Sequence, residues 1–297
     1  MSKYIKSTLL LAIAGVALSA QSAKAVSYTP DDLLLTVYQT GNNTEYTIDL
    51  GQASLYMTGG ADATASNGSA INLGNYGSDL STIFGSYSGS STTFWSIVGT
   101  SGATGNTTTG KTTQGEYIDT VFVSNAESTP GTQTSAWSRA SKNTQGNSVS
   151  TITTYASTIA SSTATGSTGA VTLATSNPSS YDTIISGNGS KIGYTSSGGF
   201  AVEDSFSQGT GLGGATLDLY RLTATTNVAQ PPTTVIPTAG EIYVGSFNFS
   251  STGELQFSTN ADSFAAIPEP SSYALMGLGS LLLMVWFRRR SRNTVLA

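Results

Sequence analysis

The sequence predicts a mostly β protein: an antiparallel sandwich or meander with one or two short helices. Three observations point there. Short runs rich in β-branched and aromatic residues recur along the chain, among them LLLTVY (Leu33 to Tyr38), FWSIV (Phe94 to Val98) and YIDTVFV (Tyr117 to Val123). Turn-forming clusters such as Thr40-Gly41-Asn42-Asn43 and Ser251-Thr252-Gly253 stand between such runs. Helical periodicity is confined to two stretches.

In chain order, Leu33 to Tyr38 and Tyr46 to Leu50 flank the first turn cluster and predict an opening β-hairpin. A Gly/Ala/Ser/Asn stretch follows from Gly59 to Ala70. Leu80, Ile83, Phe84 and Tyr87 then repeat at helical spacing after Ser78-Asp79, a predicted N-cap. Phe94 to Val98 reads as a buried strand. Gly99 to Gly115 is nearly all small and polar, hence an exposed loop. Tyr117 to Val123 is the strongest strand signal. Val149, Ile152, Tyr155 and Ile159 predict an amphipathic helix, which the threonines around them weaken. Ser161 to Gly169 is low-complexity and expected to be mobile.

The last third is expected to hold two hairpins. Asp182 to Ile185 and Lys191 to Tyr194 bracket Gly187-Asn188-Gly189. Leu217 to Leu222 alternates Leu217 and Leu219 with Asp218 and Tyr220. The Pro/Thr insertion from Gln230 to Pro237 cannot continue a strand. Glu241 to Phe249 and Glu254 to Phe257 then pair around Ser251-Thr252-Gly253.

The two ends differ from this body. Met1 to Ala25 carries Lys3 and Lys6, an apolar stretch from Leu9 to Leu18, and the small-x-small pattern Ala23-Lys24-Ala25. These are the regions of a secretory signal peptide, with cleavage expected before Val26; an uncleaved N-terminal anchor is the other reading. At the far end, Ile267-Pro268-Glu269-Pro270 precedes a charge-free apolar run from Ser271 to Phe287. Arg288, Arg289, Arg290 and Arg292 close it. As a helix that run is about 25 Å long, the short end for a membrane span. Arginines snorkel and Trp286 suits the interface, so the run can still cross. Terminal arginines would hold the C-terminus in the cytoplasm while the body faces the periplasm.

This ordered tail resembles the PEP-CTERM sorting signal of Gram-negative bacteria. The resemblance rests on Pro268, Glu269 and Pro270 with the Arg cluster behind them, and Ile267 stands where valine is commonest. It implies cleavage and sorting by a membrane enzyme, exosortase. The alternative is a permanent anchor helix with Pro-Glu-Pro as a stiff lead-in. The domains expected are a signal peptide at 1–25, an exported body at 26–266 and a sorting signal at 267–297. The order of elements also resembles, diffusely, the β-rich bodies found upstream of such tails. That likeness carries no catalytic residues.

Charge and composition narrow the function. Residues 26–266 hold sixteen of the 17 acidic residues and five of the 12 basic ones, a net charge near −11. Such a surface repels phosphate backbones, which excludes nucleic acid as a partner. With no Cys and no His, the fold rests on its core rather than disulfides. Ser-His-Asp and Cys-His mechanisms, and any zinc site using imidazole or thiolate, are likewise closed to it.

Carboxylate chemistry stays open. Asp31/Asp32 and Glu203/Asp204 are adjacent pairs, but neither sits in an Asp-x-Asp-x-Asp series suited to calcium; Glu203/Asp204, in a Gly-rich neighbourhood, could still supply two ligands, against a reading as solvated turn residues. Glu116 and Asp119 flank a strand start without a glycosidase signature. We expect no cofactor, no metal and no enzyme. Trp95, Trp137, Tyr194 and Tyr220 are candidate sugar-stacking rings. Trp95 reads as core, and Trp137, in a polar stretch, as the best exposed candidate. The Ser/Thr runs Thr107 to Thr113 and Ser157 to Thr168 read as turn chemistry or as O-glycan acceptors.

These readings converge on an exported surface or matrix protein of adhesive, biofilm-related role. Its expected partners are the secretory translocon, signal peptidase, exosortase, the inner membrane in passing, and exopolysaccharide. A carbohydrate-binding or carbohydrate-cleaving protein with the same tail is one alternative, and a permanently anchored periplasmic protein is another.

Overall fold

Every residue of the run from Asp32 to Tyr38 is buried, which is why it reads as a nearly continuous apolar stretch rather than an alternating one. It forms the centre of the sheet. The computed structural model describes residues 28–57, 60–101, 119–126, 130–131, 142–162, 164–165, 170–185, 203–207, 214–223, 241–260 and 264. The strands are β1 Asp32–Gln39, β2 Thr44–Gln52, β3 Ile71–Asn75, β4 Thr93–Thr100, β5 Val121–Asn125, β6 Ala164–Thr165, β7 Ala170–Ala174, β8 Glu203–Ser205, β9 Gly214–Leu222, β10 Glu241–Ser250 and β11 Glu254–Ser258. The helices are α1 Ala61–Ser66, α2 Gly77–Phe84, α3 Lys142–Ala160 and α4 Tyr181–Ile184, with a 3-10 turn at Ala53–Leu55.

The strands form one antiparallel sheet of eleven in the order β3-β11-β10-β9-β5-β4-β1-β2-β7-β6, with β8 beside the first half of β4. The fold is therefore neither a two-sheet sandwich nor a meander, although it is mostly β and antiparallel as expected. The sheet curls. Strands β4 and β10 are three places apart, about 14 Å in a flat sheet, yet Trp95 and Phe249 meet edge to face at 5.2 Å. Leu33, Leu35, Val37, Ile97, Leu217, Leu219, Phe247 and Phe257 line this inner face, with Leu80 and Phe84 of α2.

On the outer face, Leu34, Val98, Val121, Val123 and Leu222 pack against Val149, Ile152, Tyr155 and Ile159 of α3. The predicted amphipathic positions of α3 are thus its buried ones. At 19 residues it is longer than the short helices expected. Threonines do not break it, because Thr154, Ser157 and Thr158 donate to the carbonyls of Ser150, Thr153 and Thr154 within the helix.

Several expectations need correction. Asp182 to Ile185 is not a strand. Ser180 caps Thr183 N–H at 3.2 Å and starts α4 there; the second arm of that hairpin, 191–194, lies outside the described residues. Strand β5 begins only at Val121, because Asp119 takes the left-handed φ of 59°. Ser78-Asp79 does not cap α2. Its N-cap is Tyr76, which makes no side-chain cap bond, and Asp79 instead accepts from Tyr46 Oη at 2.9 Å. Tyr87 falls beyond the helix. Within the Ser161 to Gly169 stretch, Ala164–Thr165 pairs with β7.

The closing hairpin forms as expected. At its turn Gly253 has φ 82°, and a Cβ there would lie 2.2 Å from Gly77 Cα. The turn thereby packs backbone to backbone on the start of α2, with Tyr76 N–H donating to Gly253 O at 2.8 Å.

Candidate functional site

A polar cluster lies between β1 and β2 and the helices that cover them. Glu45, Thr36 and Thr47 are each fully buried. Tyr155 reaches down from α3, its hydroxyl 2.6 Å from both Thr36 Oγ1 and Thr47 Oγ1. Glu45 accepts Tyr181 N–H at 2.9 Å and Asp182 N–H at 3.2 Å, so its carboxylate holds the first turn of α4. Burial lifts the Glu45 carboxyl from an ordinary 4.5 to about 7. The two N–H donors counter this in part, and the Asp182 charge adds to it.

Beside it, Tyr38 donates to Glu203 Oε1 at 2.9 Å and Tyr181 Oη to Glu203 Oε2 at 3.4 Å. Tyr38 also stacks on Phe94, ring centres 5.6 Å apart. Burial and the Glu203 charge push the Tyr38 phenol above its usual range, keeping it a donor at all ordinary pH. Burial raises Asp204 to about 6, against the Ser205 N–H. Glu45 has no exposed surface and both its oxygens are bonded, so its part is to fasten α4 to the sheet.

The candidate residues do not converge. Glu203 and Asp204 are neighbours on β8 and point to opposite faces, so they cannot supply two ligands to one ion. Asp32 accepts Thr29 N–H at 2.5 Å and also Gln52 Nε2. Among the described residues, no three Asp or Glu side chains are placed to hold a metal together. Trp95 is core, as expected, and Tyr220 is equally buried, which withdraws it as a sugar platform. Trp137, Tyr194, Glu116 and the run Thr107 to Thr113 lie outside the described residues. A groove of about 700 Å³ runs along α3, lined by Tyr28, Pro30 and hydroxyls including Ser150, Thr153 and Ser157.

Hydroxyls and amides also do internal work that composition alone did not disclose. On β9 and β10 the side chains of Thr216, Asp218, Ser246 and Asn248 are buried. Ser246 donates to Asp218 at 2.5 Å, and Asn248 Nδ2 donates to Thr216 Oγ1 at 2.8 Å. Among the described residues, sixteen Ser and Thr side chains are packed inside in this way.

After β11 the chain is pinned beside α1. Thr259 N–H donates to Ser66 Oγ, and Gly68 N–H to Thr259 Oγ1, both at 3.1 Å. The last described residue, Phe264, is only 2 % exposed. Four positions on stands Pro268.

Residues 266–291 match the PEP-CTERM protein-sorting motif. The match starts one residue before the expected boundary at Ile267. It spans Pro268, Glu269 and Pro270, the apolar run, and Arg288 to Arg290, with Arg292 just past it. A PEP-CTERM tail indicates an exported protein processed by exosortase. No curated protein and no solved structure matches the chain. The tail residues, the signal residues Ala23, Ala25 and Val26, and both expected terminal helices lie outside the described residues. Among the described residues, no helix is long and apolar enough to cross a membrane.

Proposed function

We propose that this chain is a structural protein of the cell surface or extracellular polysaccharide matrix, delivered by secretion and released by exosortase. In this reading the signal peptide is removed before Val26. The apolar run holds the chain in the inner membrane, Arg288, Arg289, Arg290 and Arg292 stop transfer, and cleavage falls near Pro268-Glu269-Pro270. The match at 266–291 carries the proposal. The packed, acidic, cysteine-free body supports an architectural role outside the cytoplasm. Proline disfavours helix in the residue before it, and an extended backbone is the form a processing enzyme grips.

Fractionation of the native host tests this. Expressed with its tail, the protein is expected at the surface or in the matrix in tail-trimmed form; expressed only as far as Ala266, it is expected in the periplasm or medium. Equal distribution of the two forms would refute the proposal.

A further inference from the structure

Between α2 and the β10–β11 turn lies a trough of about 540 Å³, within the range of pockets that take small ligands, about 300–1,000 Å³. Ser78 and Ser81 share the face of α2 that forms one wall, with Ser86 just past the helix and Ser251 on the turn opposite. The hydroxyls of these four serines make no hydrogen bond among the described residues. Asn75 Oδ1 takes the Gly77 N–H at 3.0 Å, and the Ser78 N–H beside it has no protein acceptor among the described residues.

Tyr87 lines the same trough. It is only 4 % exposed, its ring set edge-on to Phe206 at 5.3 Å. Its hydroxyl lies where helix and turn meet: a Cβ on Gly253 would come 2.7 Å from it, and one on Gly77 3.2 Å. That hydroxyl has no hydrogen-bond partner among the described residues. Burial holds the phenol above its usual range, so it stays protonated and can donate. A nearly buried donor left idle costs free energy, which a ligand acceptor would recover.

The ligand that fits is uncharged. No Lys or Arg lines the trough, Asp79 stands in the first turn of α2, and the body is strongly acidic, all of which oppose an anion. Serine hydroxyls both donate and accept, as the hydroxyls of a sugar ring do. We propose that this trough is a binding subsite for a neutral hexose unit of a polysaccharide, with Tyr87 Oη and the Ser78 N–H as fixed donors and Ser81, Ser86 and Ser251 as adaptable partners. The proposal deepens the matrix reading above and rests on it for the source of the polysaccharide. The walls are set before binding, because the backbone contact of Gly77 with the turn leaves no room for a side chain.

Calorimetric titration of the full chain, held in a detergent without a sugar headgroup, tests the subsite. The probes are neutral hexasaccharides of glucose, of galactose and of mannose, with oligogalacturonate and sulfate as charged counterparts. At least one neutral probe is expected to bind with about millimolar affinity, independent of salt. Tyr87→Phe is expected to weaken it about tenfold, and Ser86→Ala with Ser251→Ala about threefold. The urea midpoint of Tyr87→Phe is expected to stay unchanged, since the hydroxyl bonds nothing in the free protein. No saturable binding of any neutral probe, equal binding by Tyr87→Phe, or tighter binding of either charged probe would overturn the inference. So would a loss of binding that accompanies a lowered midpoint, which would mark the hydroxyl as structural. Protein found in the matrix without sugar binding would overturn the subsite alone; sugar binding by a protein absent from surface and matrix would overturn the matrix reading and leave the subsite.

Discussion

Acidification from about pH 8 to about pH 4.5 raises the stability of the mature body, by about 3 kcal/mol from Glu45 alone. The sign follows from the direction of the shift. Glu45 binds its proton up to about pH 7 in the folded state, against 4.5 ordinarily, so between those values the folded state holds more protons. Its contribution is complete below 4.5 and is lost as pH rises through 7.

The groups facing Glu45 are Tyr38 across the β1–β2 pair, Tyr155 on α3, and Tyr181 and Asp182 on α4. The phenols Tyr38, Tyr155 and Tyr181 are all held above their usual range and stay neutral through this window. Asp204, raised to about 6, acts in the same direction. Self-repulsion of the acidic body does too. Urea midpoints at several pH values measure the slope. Glu45→Gln, which has no proton to titrate, is expected to remove the Glu45 share, about 3 kcal/mol, and to leave the share of Asp204 and of self-repulsion. A wild-type profile that is flat, or that rises with pH, would contradict the assignment.

Trp95→Ala is expected to cost about 4 kcal/mol, enough to threaten folding of a domain of ordinary stability. Trp95 is fully buried and meets Phe249 at 5.2 Å and Phe206 at 6.3 Å. It thus joins β4 to β10 and to the end of β8 across the curl. Its indole nitrogen has no hydrogen-bond partner, so Trp95→Phe forfeits packing but no bond. That variant is expected to lose less than half as much. Chemical denaturation of both variants checks the pair of values. A loss for Trp95→Phe equal to that for Trp95→Ala would show that the indole nitrogen, and not the ring contact, carries the cost.

The parts of the fold that were legible in the sequence are those where pattern and packing agree. LLLTVY and FWSIV are central strands, and the positions of α3 at 149, 152, 155 and 159 are the ones that face the sheet. Legibility failed where a polar side chain took an inside role. Asp218 and Tyr220 alternate with leucines yet are as buried as they are, because both faces of β9 are covered. Strand β3 (INLGN) lies just past a stretch rich in Gly and Asn, and its place comes from pairing with β11 rather than from propensity. The helix at Tyr181 to Ile184 has no local signal, because it depends on Ser180 and on Glu45, a carboxylate 136 residues before Tyr181.

The tail was legible because its signal is local: three letters, an apolar run and arginines in fixed order.

The most direct test of the whole account is the intact mass of the protein recovered from the surface or matrix of its native host. The account predicts a chain that begins at Val26 and ends near Pro268-Glu269-Pro270, without the apolar run and the arginines. A recovered chain still carrying Arg288 to Arg292 would contradict it.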